Sequence, residues 1–208
     1  MKNKKEFTAK DKVQRVGSNK STGIKAIIVL VVIGVALGGL LAILNDVLYV
    51  SPEEKILRTI KTFYDGEQKN YTQMQLTSDL AQNEYGTVET VYVIEDGNYL
   101  IKATGKNGFN GGTVTLWLLA ETENGSFKKF SKVKYAESAL QTLMSNFGND
   151  FYQKYVDGDI TAGYYTTNRT DANHNVVTGA TKSSTAINNA VNCAYFFIQQ
   201  INTLPNGN

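Results

Sequence analysis

The sequence predicts an α+β protein: a single N-terminal transmembrane helix, followed by one extracytoplasmic domain in which helices flank an antiparallel sheet. Three observations predict this fold. Ala26 to Leu44 is an unbroken run of uncharged, mostly aliphatic residues. The middle of the chain holds two pairs of strand-like segments, joined by the hairpin turn signals Asp96-Gly97 and Asn124-Gly125. From Ser184 onward, apolar residues recur at the three-and-four spacing of a helix with one buried face.

The apolar run is long enough to cross a membrane, and we place the transmembrane helix at residues 26–48. At a rise of about 1.5 Å per residue, Ala26 to Leu44 covers a hydrocarbon core roughly 30 Å thick. The residues that follow, Asn45 to Val50, lack the small-x-small site at which a signal peptide is cleaved, so the sequence favours a retained anchor. Gly34 and Gly38 give the span a small-residue face that suits close packing of a second helix, although glycine is frequent in membrane helices generally.

Charge predicts the orientation of this anchor. Residues 1–25 hold eight Lys or Arg against Glu6 and Asp11, and the basic flank of a membrane helix stays in the cytoplasm. We therefore expect residues 1–25 to be cytoplasmic and the domain, residues 51–208, to lie on the far side of the lipid bilayer. Residues 26–208 carry 13 basic and 17 acidic residues, so the overall charge of +2 gives no support for nucleic-acid binding.

The first half of the domain begins with a helix and continues with strands. Ser51-Pro52-Glu53-Glu54 is a helix-start signature, with a hydroxyl cap, proline in the first turn and an acid three positions after the cap. Segments rich in β-branched and aromatic residues follow. They predict a four-stranded meander at residues 87–94, 99–104, 113–120 and 127–135.

The second half returns to helical spacing. Between the two hairpins lies 105–112, a loop with four glycines and Phe109, which on residue types alone is an ordinary surface loop. A helix is then predicted over 136–155, and the polar run 166–175 reads as loop. The expected apolar face of the 136–155 helix consists of Leu140, Leu143, Met144, Phe147 and Phe151.

The residue inventory narrows the chemistry. One histidine, His174, and one cysteine, Cys193, cannot build a zinc cluster, a cysteine-ligated iron–sulfur centre or a CxxC redox pair. Asp157 and Asp159 lack the rest of a calcium loop, so we predict no metal site there. Cys193 falls inside the last helix, where a small buried thiol is expected. Any redox work would need an attached cofactor.

The segment Thr178–Ser184 carries the strongest functional signal. Residues 181–184 occupy the entrance of the C-terminal helix, where unpaired backbone N–H groups and the helix dipole accept an anion such as a phosphate. Gly179 and Ala180 leave the approach uncrowded. The plain alternative is that the threonine and serine residues only cap a helix.

The string Thr-Gly-Ala-Thr-x-Ser-Ser resembles the FMN-binding domain family of membrane ion-translocating oxidoreductases, which includes flavin-bearing subunits of the Rnf complex and of the sodium-translocating NADH:quinone reductase. In that family a flavin transferase joins FMN, through its phosphate, to the second threonine of the motif, which is Thr181 here. The family's acidic residue six positions before the acceptor is Asn175 in this chain. The resemblance makes the other cofactor-binding candidates Thr178, Gly179, Ala180 and Lys182, with Ser183 and Ser184 as donors to the phosphate.

The resemblance implies an electron-transfer subunit of an Rnf-type complex, which relays electrons through covalent FMN on the outer face of the membrane. Its partners would be the other membrane subunits, the flavin transferase during maturation, and the bilayer. It would carry electrons, with no catalytic residue of its own. Two alternatives stay open: a free-standing membrane-tethered flavoprotein, and a flavin-free adhesin or sensor ectodomain in which Thr181 only caps a helix.

Overall fold

The computed structural model describes residues 20–203, which divide into two compact units with the boundary at Pro52. The first unit holds helix α1 (Lys20–Leu48), so the helix expected at 26–48 is confirmed. Within it, Gly23–Asn45 is long and apolar enough to cross a membrane. Its aliphatic side chains are exposed, for example Leu30 at 72% and Val35 at 71%. Residues 1–19, most of the basic segment, lie outside the described residues.

The second unit is an α+β domain, and its sheet is an antiparallel meander in the order β1-β2-β3-β4-β5. The four expected strands are confirmed as β2 to β5, and the short edge strand β1 was not predicted. Single 3-10 turns lie at Phe109–Gly111, Met144–Asn146 and Ile160–Ala162. In chain order, the helices and strands are α2 (Pro52–Phe63), β1 (Tyr71–Gln73), α3 (Ser78–Ala81), β2 (Gly86–Ile94), β3 (Tyr99–Gly105), β4 (Thr113–Glu123), β5 (Ser126–Ala139), α4 (Asn149–Asp157) and α5 (Thr181–Thr203).

Helices α4 and α5 cover one face of the sheet. The strands alternate, so that Ile101 of β3 and Leu116 of β4 point to this face and are fully buried. They share one hydrophobic core with Ile187 and Val191 of α5 and with Tyr155 of α4. Burying side chains of this size is worth about 1.5–3 kcal/mol each, so α5 is held firmly on the sheet.

Glycine at the end of β3 brings α5 close to the sheet backbone. A Cβ at Gly105 would fall on the backbone of Ala186 and Ala190 in α5, so no other residue fits there without moving the helix. The small side chains of Ala186 and Ala190, both fully buried, complete this close contact. The contact fixes the helix, and therefore its first turn, against the end of β3.

Helix α2 covers part of the opposite face. Its buried residues Ile60 and Phe63 pack on Tyr92, Leu100 and Leu119 of the three central strands, which form a second hydrophobic cluster. The helix predicted from the Ser51–Glu54 signature is therefore confirmed, and it begins at Pro52 as the cap pattern indicated.

The prediction of a helix over 136–155 is wrong for residues 136–148. Residues 136–139 extend β5, whose ladder with β4 runs until Ala139 lies opposite Thr113. Leu140 then takes a left-handed turn conformation with φ of 58°, and α4 begins only at Asn149. Strand pairing in the folded domain overrides the apolar spacing that suggested a helix. Leu140 is accordingly 66% exposed, whereas Phe151 is buried.

Candidate functional site at the start of helix α5

The first turn of α5 presents unpaired backbone amides. The helix begins at Thr181, and the first of its amides with a backbone acceptor is that of Ser184, which donates to the Ala180 carbonyl over 2.9 Å. Within residues 20–203, the amides of Thr181, Lys182 and Ser183 have no such acceptor. A helix start of this kind carries a partial positive charge and accepts an anion.

A sharp turn leads into the helix. Gly179 has φ of +84°, a conformation that side chains disfavour, and nothing lies within 4 Å of the position its Cβ would occupy. The Ala180 amide donates to the Val177 carbonyl over 3.0 Å and closes the turn. The chain therefore enters α5 with open space beside Gly179, as the sequence predicted for this spacer.

A cleft of about 240 Å³ lies in front of this turn. One wall is formed by Phe109 from the loop between β3 and β4, and by Thr142 and Leu143 from the segment after β5. The other wall is the helix start, residues 179–183. Phe109 and Leu143 are 43% and 39% exposed, so apolar surface faces the cleft beside the unpaired amides.

Thr181 occupies the centre of the sequence-predicted set. Its side chain is exposed at the cleft, and its hydroxyl makes no hydrogen bond to any residue in the described part of the chain. Lys182 is exposed beside it, whereas Ala180 is 3% exposed. The structure therefore brings Gly179, Ala180, Thr181, Lys182 and Ser183 together around one opening.

Ser184 does not belong to this opening, which corrects its expected role as a phosphate donor. Its side chain is fully buried, and its hydroxyl donates to the Ala180 carbonyl and accepts from the Val177 amide, both over 3.0 Å. Helical spacing turns Ser184 into the core, because it lies about one turn beyond Ala180. These two hydrogen bonds stabilise the turn that leads into α5.

Thr178 also lies outside the cleft lining. Its hydroxyl accepts a hydrogen bond from Arg169 Nη2 over 2.7 Å. Arg169 is an exposed residue of the loop 166–175, so this loop places a permanent cation near the start of α5. Together with Lys182, it adds positive charge to that of the helix terminus.

Gln141 is a site residue that sequence reasoning missed. Its side-chain Oε1 accepts from the Ser183 hydroxyl over 2.8 Å and from the Phe109 amide over 3.3 Å. It lies within the segment that apolar spacing assigned to a helix, so no signal in the sequence placed it beside the motif. Only the turn at Leu140 brings it to Ser183.

No protein-family model matches this chain, and no curated protein matches it either. The site is therefore described by its own geometry: an exposed threonine hydroxyl, the Lys182 cation and three amides without a backbone acceptor among residues 20–203, at one edge of a partly apolar cleft, with Arg169 outside the lining. Helix starts with such groups accept phosphate in other proteins, and the apolar wall offers a nearby surface for an aromatic or aliphatic ring.

Asn175 belongs to a buried polar network that contacts α4 and α5. It is 1% exposed, and its side-chain amide donates to the Phe151 carbonyl over 3.2 Å. The backbone carbonyl of Asn175 accepts a hydrogen bond from Asn188 Nδ2 over 2.9 Å. Asn188 Oδ1 in turn accepts from the Tyr155 hydroxyl over 2.5 Å. A carboxylate at position 175 could not donate to Phe151 and would carry a buried charge, so asparagine suits the Phe151 contact, although its buried Oδ1 has no hydrogen-bond partner among residues 20–203.

The remaining candidate residues lie apart from the cleft. Cys193 is buried in α5, as expected, and burial raises the pKa of its thiol to about 12. His174 is exposed, with its Nδ1 3.0 Å from the Asp171 carbonyl oxygen. Among residues 20–203, no group of three or more His, Cys, Asp or Glu side chains is placed to hold a metal ion.

Proposed function

We propose that the cleft at Thr181 carries FMN as a phosphoester of the Thr181 hydroxyl, and that the protein relays electrons as a subunit of an Rnf-type membrane ion-translocating oxidoreductase. The single observation that supports this most is the position of Thr181. Its hydroxyl is exposed at the first residue of a 23-residue helix, and among residues 20–203 neither this hydroxyl nor the three neighbouring amides has a hydrogen-bond partner. A threonine that only caps a helix uses its hydroxyl on those amides.

The chemistry of the surrounding groups fits a flavin phosphate. The amides of residues 181–183 and the Lys182 cation suit the single negative charge of a phosphodiester, and Arg169 adds positive charge nearby. Half-exposed Phe109 and Leu143 offer apolar surface to a planar ring. FMN supplies one-electron and two-electron transfer, for which the chain's own side chains provide no redox group.

Attachment needs an activated flavin, because a threonine hydroxyl does not displace hydroxide from a phosphate monoester. The donor that meets this need is flavin adenine dinucleotide, in which an anhydride bond activates the FMN phosphate. Thr181 Oγ1 forms the new bond to that phosphorus while the pyrophosphate P–O bond breaks. AMP leaves, and the hydroxyl proton passes to a base of the flavin transferase.

The anchor places the carrier at a membrane in this proposal. Exposed aliphatic side chains along Gly23–Asn45 are stable when lipid surrounds them and costly in water. With the basic N-terminal segment in the cytoplasm, the domain stands on the outer face, where a covalent ester keeps the flavin from diffusing away. Gly34 and Gly38 suit contact with a helix of another membrane subunit.

Intact-mass measurement tests the attachment. The full chain, expressed with a flavin transferase, is expected to gain the mass of one FMN group, located by peptide mapping on Thr181. Thr181→Val removes the acceptor and is expected to carry no label. Thr185→Val is the matched control, since Thr185 lies one turn further on and its hydroxyl bonds the Thr181 carbonyl over 3.0 Å. Label lost equally from both variants, or absent from the wild type, contradicts the proposal.

Isolation in mild detergent tests the assignment to a complex. Co-purification of the labelled protein with other integral membrane subunits, identified by mass, is the expected result. A labelled protein that purifies alone points to the free-standing membrane flavoprotein. An unlabelled protein points to the adhesin or sensor ectodomain.

A further inference from the structure

Gln141 joins the three chain segments that form the cleft. Its side-chain amide has two donor hydrogens and an oxygen with two lone pairs. The oxygen accepts from the Ser183 hydroxyl and the Phe109 amide. The nitrogen donates to the carbonyls of Phe109 and Ala139, over 3.4 and 3.2 Å. All four positions are used, so one side chain ties the β3–β4 loop and the end of β5 to the first turn of α5.

The bonds fix the orientation of the Gln141 amide. Its nitrogen faces two carbonyl oxygens, and its oxygen faces a backbone N–H. A flipped amide would place oxygen against both carbonyls and nitrogen against that N–H, so only one orientation satisfies the network. The bond to the Ser183 hydroxyl is partly buried, whereas the three bonds to backbone groups are exposed.

Gln141 stands behind the cleft and does not line it. The residues that it holds, Phe109 and Ser183, line it directly, and Leu143 follows two positions later. Backbone bonds from Gly112 to Phe109 and from Gly108 to Gly112 set the shape of the loop, and Asn189 holds its start at Lys106. The Phe109 side chain is 43% exposed, and within residues 20–203 the hydrogen bonds that link Phe109 to Ser183 run through Gln141. The position of the apolar wall relative to Thr181 therefore depends on Gln141.

We propose that Gln141 is a positioning residue: it holds Phe109 against the helix start so that the apolar wall covers a flavin ring attached at Thr181. This inference rests on the proposed function. Gln141 acts through Phe109 and Ser183 and does not touch the attachment atoms. Removal of the Gln141 side chain leaves the Thr181 hydroxyl in place but frees the apolar wall at Phe109, so that water and solutes reach the bound ring.

The test compares Gln141→Ala with Gln153→Ala in the full chain labelled with FMN. Gln153 lies on α4, away from the cleft, and its Nε2 donates to Asp157 over 2.9 Å, so it is a matched loss of a glutamine hydrogen bond. Labelling is measured by intact mass, and access to the ring by iodide quenching of flavin fluorescence. Both variants are expected to be labelled like wild type, while only Gln141→Ala shows quenching shifted toward that of free FMN.

Hydrogen exchange of the unlabelled proteins gives a readout that needs no flavin. In Gln141→Ala, the amides of residues 108–112 are expected to exchange about tenfold faster, the factor set by losing one or two hydrogen bonds. Gln153→Ala leaves them unchanged. If Gln141→Ala does not fold, Gln141→Glu is judged by the same measurements, because it keeps the acceptor oxygen and loses both donors.

Each outcome separates the two proposals. Wild-type quenching in a labelled Gln141→Ala protein overturns the role of Gln141 and leaves the attachment at Thr181 standing. A folded Gln141→Ala protein without label also contradicts this role, because Gln141 is assigned to covering the ring. An unlabelled wild type contradicts the proposed function, and the role of Gln141 is withdrawn with it.

Discussion

The Arg169 guanidinium donates a hydrogen bond to the Thr178 hydroxyl over 2.7 Å, three residues before Thr181. This bond links the loop 166–175 to the turn that enters α5. It occupies the first hydroxyl of the Thr178–Thr181 pair and leaves the second exposed at the cleft. The two threonines therefore have different environments, although the sequence presents them as similar.

Thr178→Val is expected to retain FMN on Thr181, at a yield reduced far less than in Thr181→Val. The Thr178 hydroxyl already accepts a hydrogen bond from Arg169, and valine keeps the volume of the side chain. Intact mass after co-expression with the flavin transferase measures both yields. Complete loss of label in Thr178→Val, with Thr181 present but unmodified, would contradict the assignment of Thr181 as the acceptor.

Gly179→Ser is expected to lower the free energy of unfolding by about 1–2 kcal/mol, the cost of a left-handed conformation for a residue with a side chain. Nothing crowds the site, so backbone strain at φ of +84° is the whole cause. Gly148→Ser is the control, because Gly148 has φ of −82° and precedes α4, where serine is a good cap. Urea unfolding measures both, and equal stability of the two variants would contradict the turn geometry.

Tyr155→Phe is expected to destabilise the domain by about 1–3 kcal/mol, because it leaves the buried Asn188 Oδ1 without its donor. Tyr164→Phe removes a comparable bond to Gln199 at the exposed surface and is expected to cost less than about 0.5 kcal/mol. Denaturant unfolding of the two variants gives the comparison. A Tyr155→Phe protein as stable as wild type would mean that the buried network contributes no net stability.

Stability is expected to fall as the pH rises above 10. Burial raises the pKa of Tyr155 well above its ordinary value of 10.0, and it raises the pKa of Tyr165 to about 12. Their stabilising effect is fully present below the unfolded pKa and is lost as the pH rises toward the folded pKa, because only the unfolded state releases the protons. Urea midpoints at pH 8, 10 and 11 measure this loss. The stability of Tyr155→Phe should decline less steeply with pH than that of the wild type. Identical declines would contradict the assignment of this pH dependence to Tyr155.

Labelling in intact cells tests the orientation. A cysteine in place of exposed Ser126 is expected to react with a membrane-impermeant maleimide, whereas a cysteine in place of Lys12 reacts only after the cells are opened. Native Cys193 does not interfere, since it is fully buried in the folded domain. The reverse pattern would place the domain in the cytoplasm.

Much of the fold could be predicted from local patterns. The hairpin turns at Asp96-Gly97 and Asn124-Gly125 are present, with Gly97 and Gly125 both at positive φ, and the strands around them follow the predicted order. These signals are local, because a two-residue turn and alternating side chains define a hairpin without distant contacts. The start of α5 at Thr181 was likewise predictable from neighbouring residues alone.

The failures came from contacts between distant residues. Residues 136–139 pair with the start of β4, a contact across more than twenty positions that the helical spacing of Leu140 and Phe147 could not reveal. The same error hid Gln141, which reaches Ser183 only because the chain turns at Leu140. Ser184 was assigned by motif position, whereas its burial depends on the direction in which the first turn of α5 faces the core.

The most direct measurement is the mass and visible absorption of the protein isolated from the membranes of its own cells. We expect a yellow protein that is heavier than its sequence by one FMN group, with the added mass on the peptide that contains Thr181. A colourless protein of unmodified mass, from cells with an active flavin transferase, would contradict this expectation.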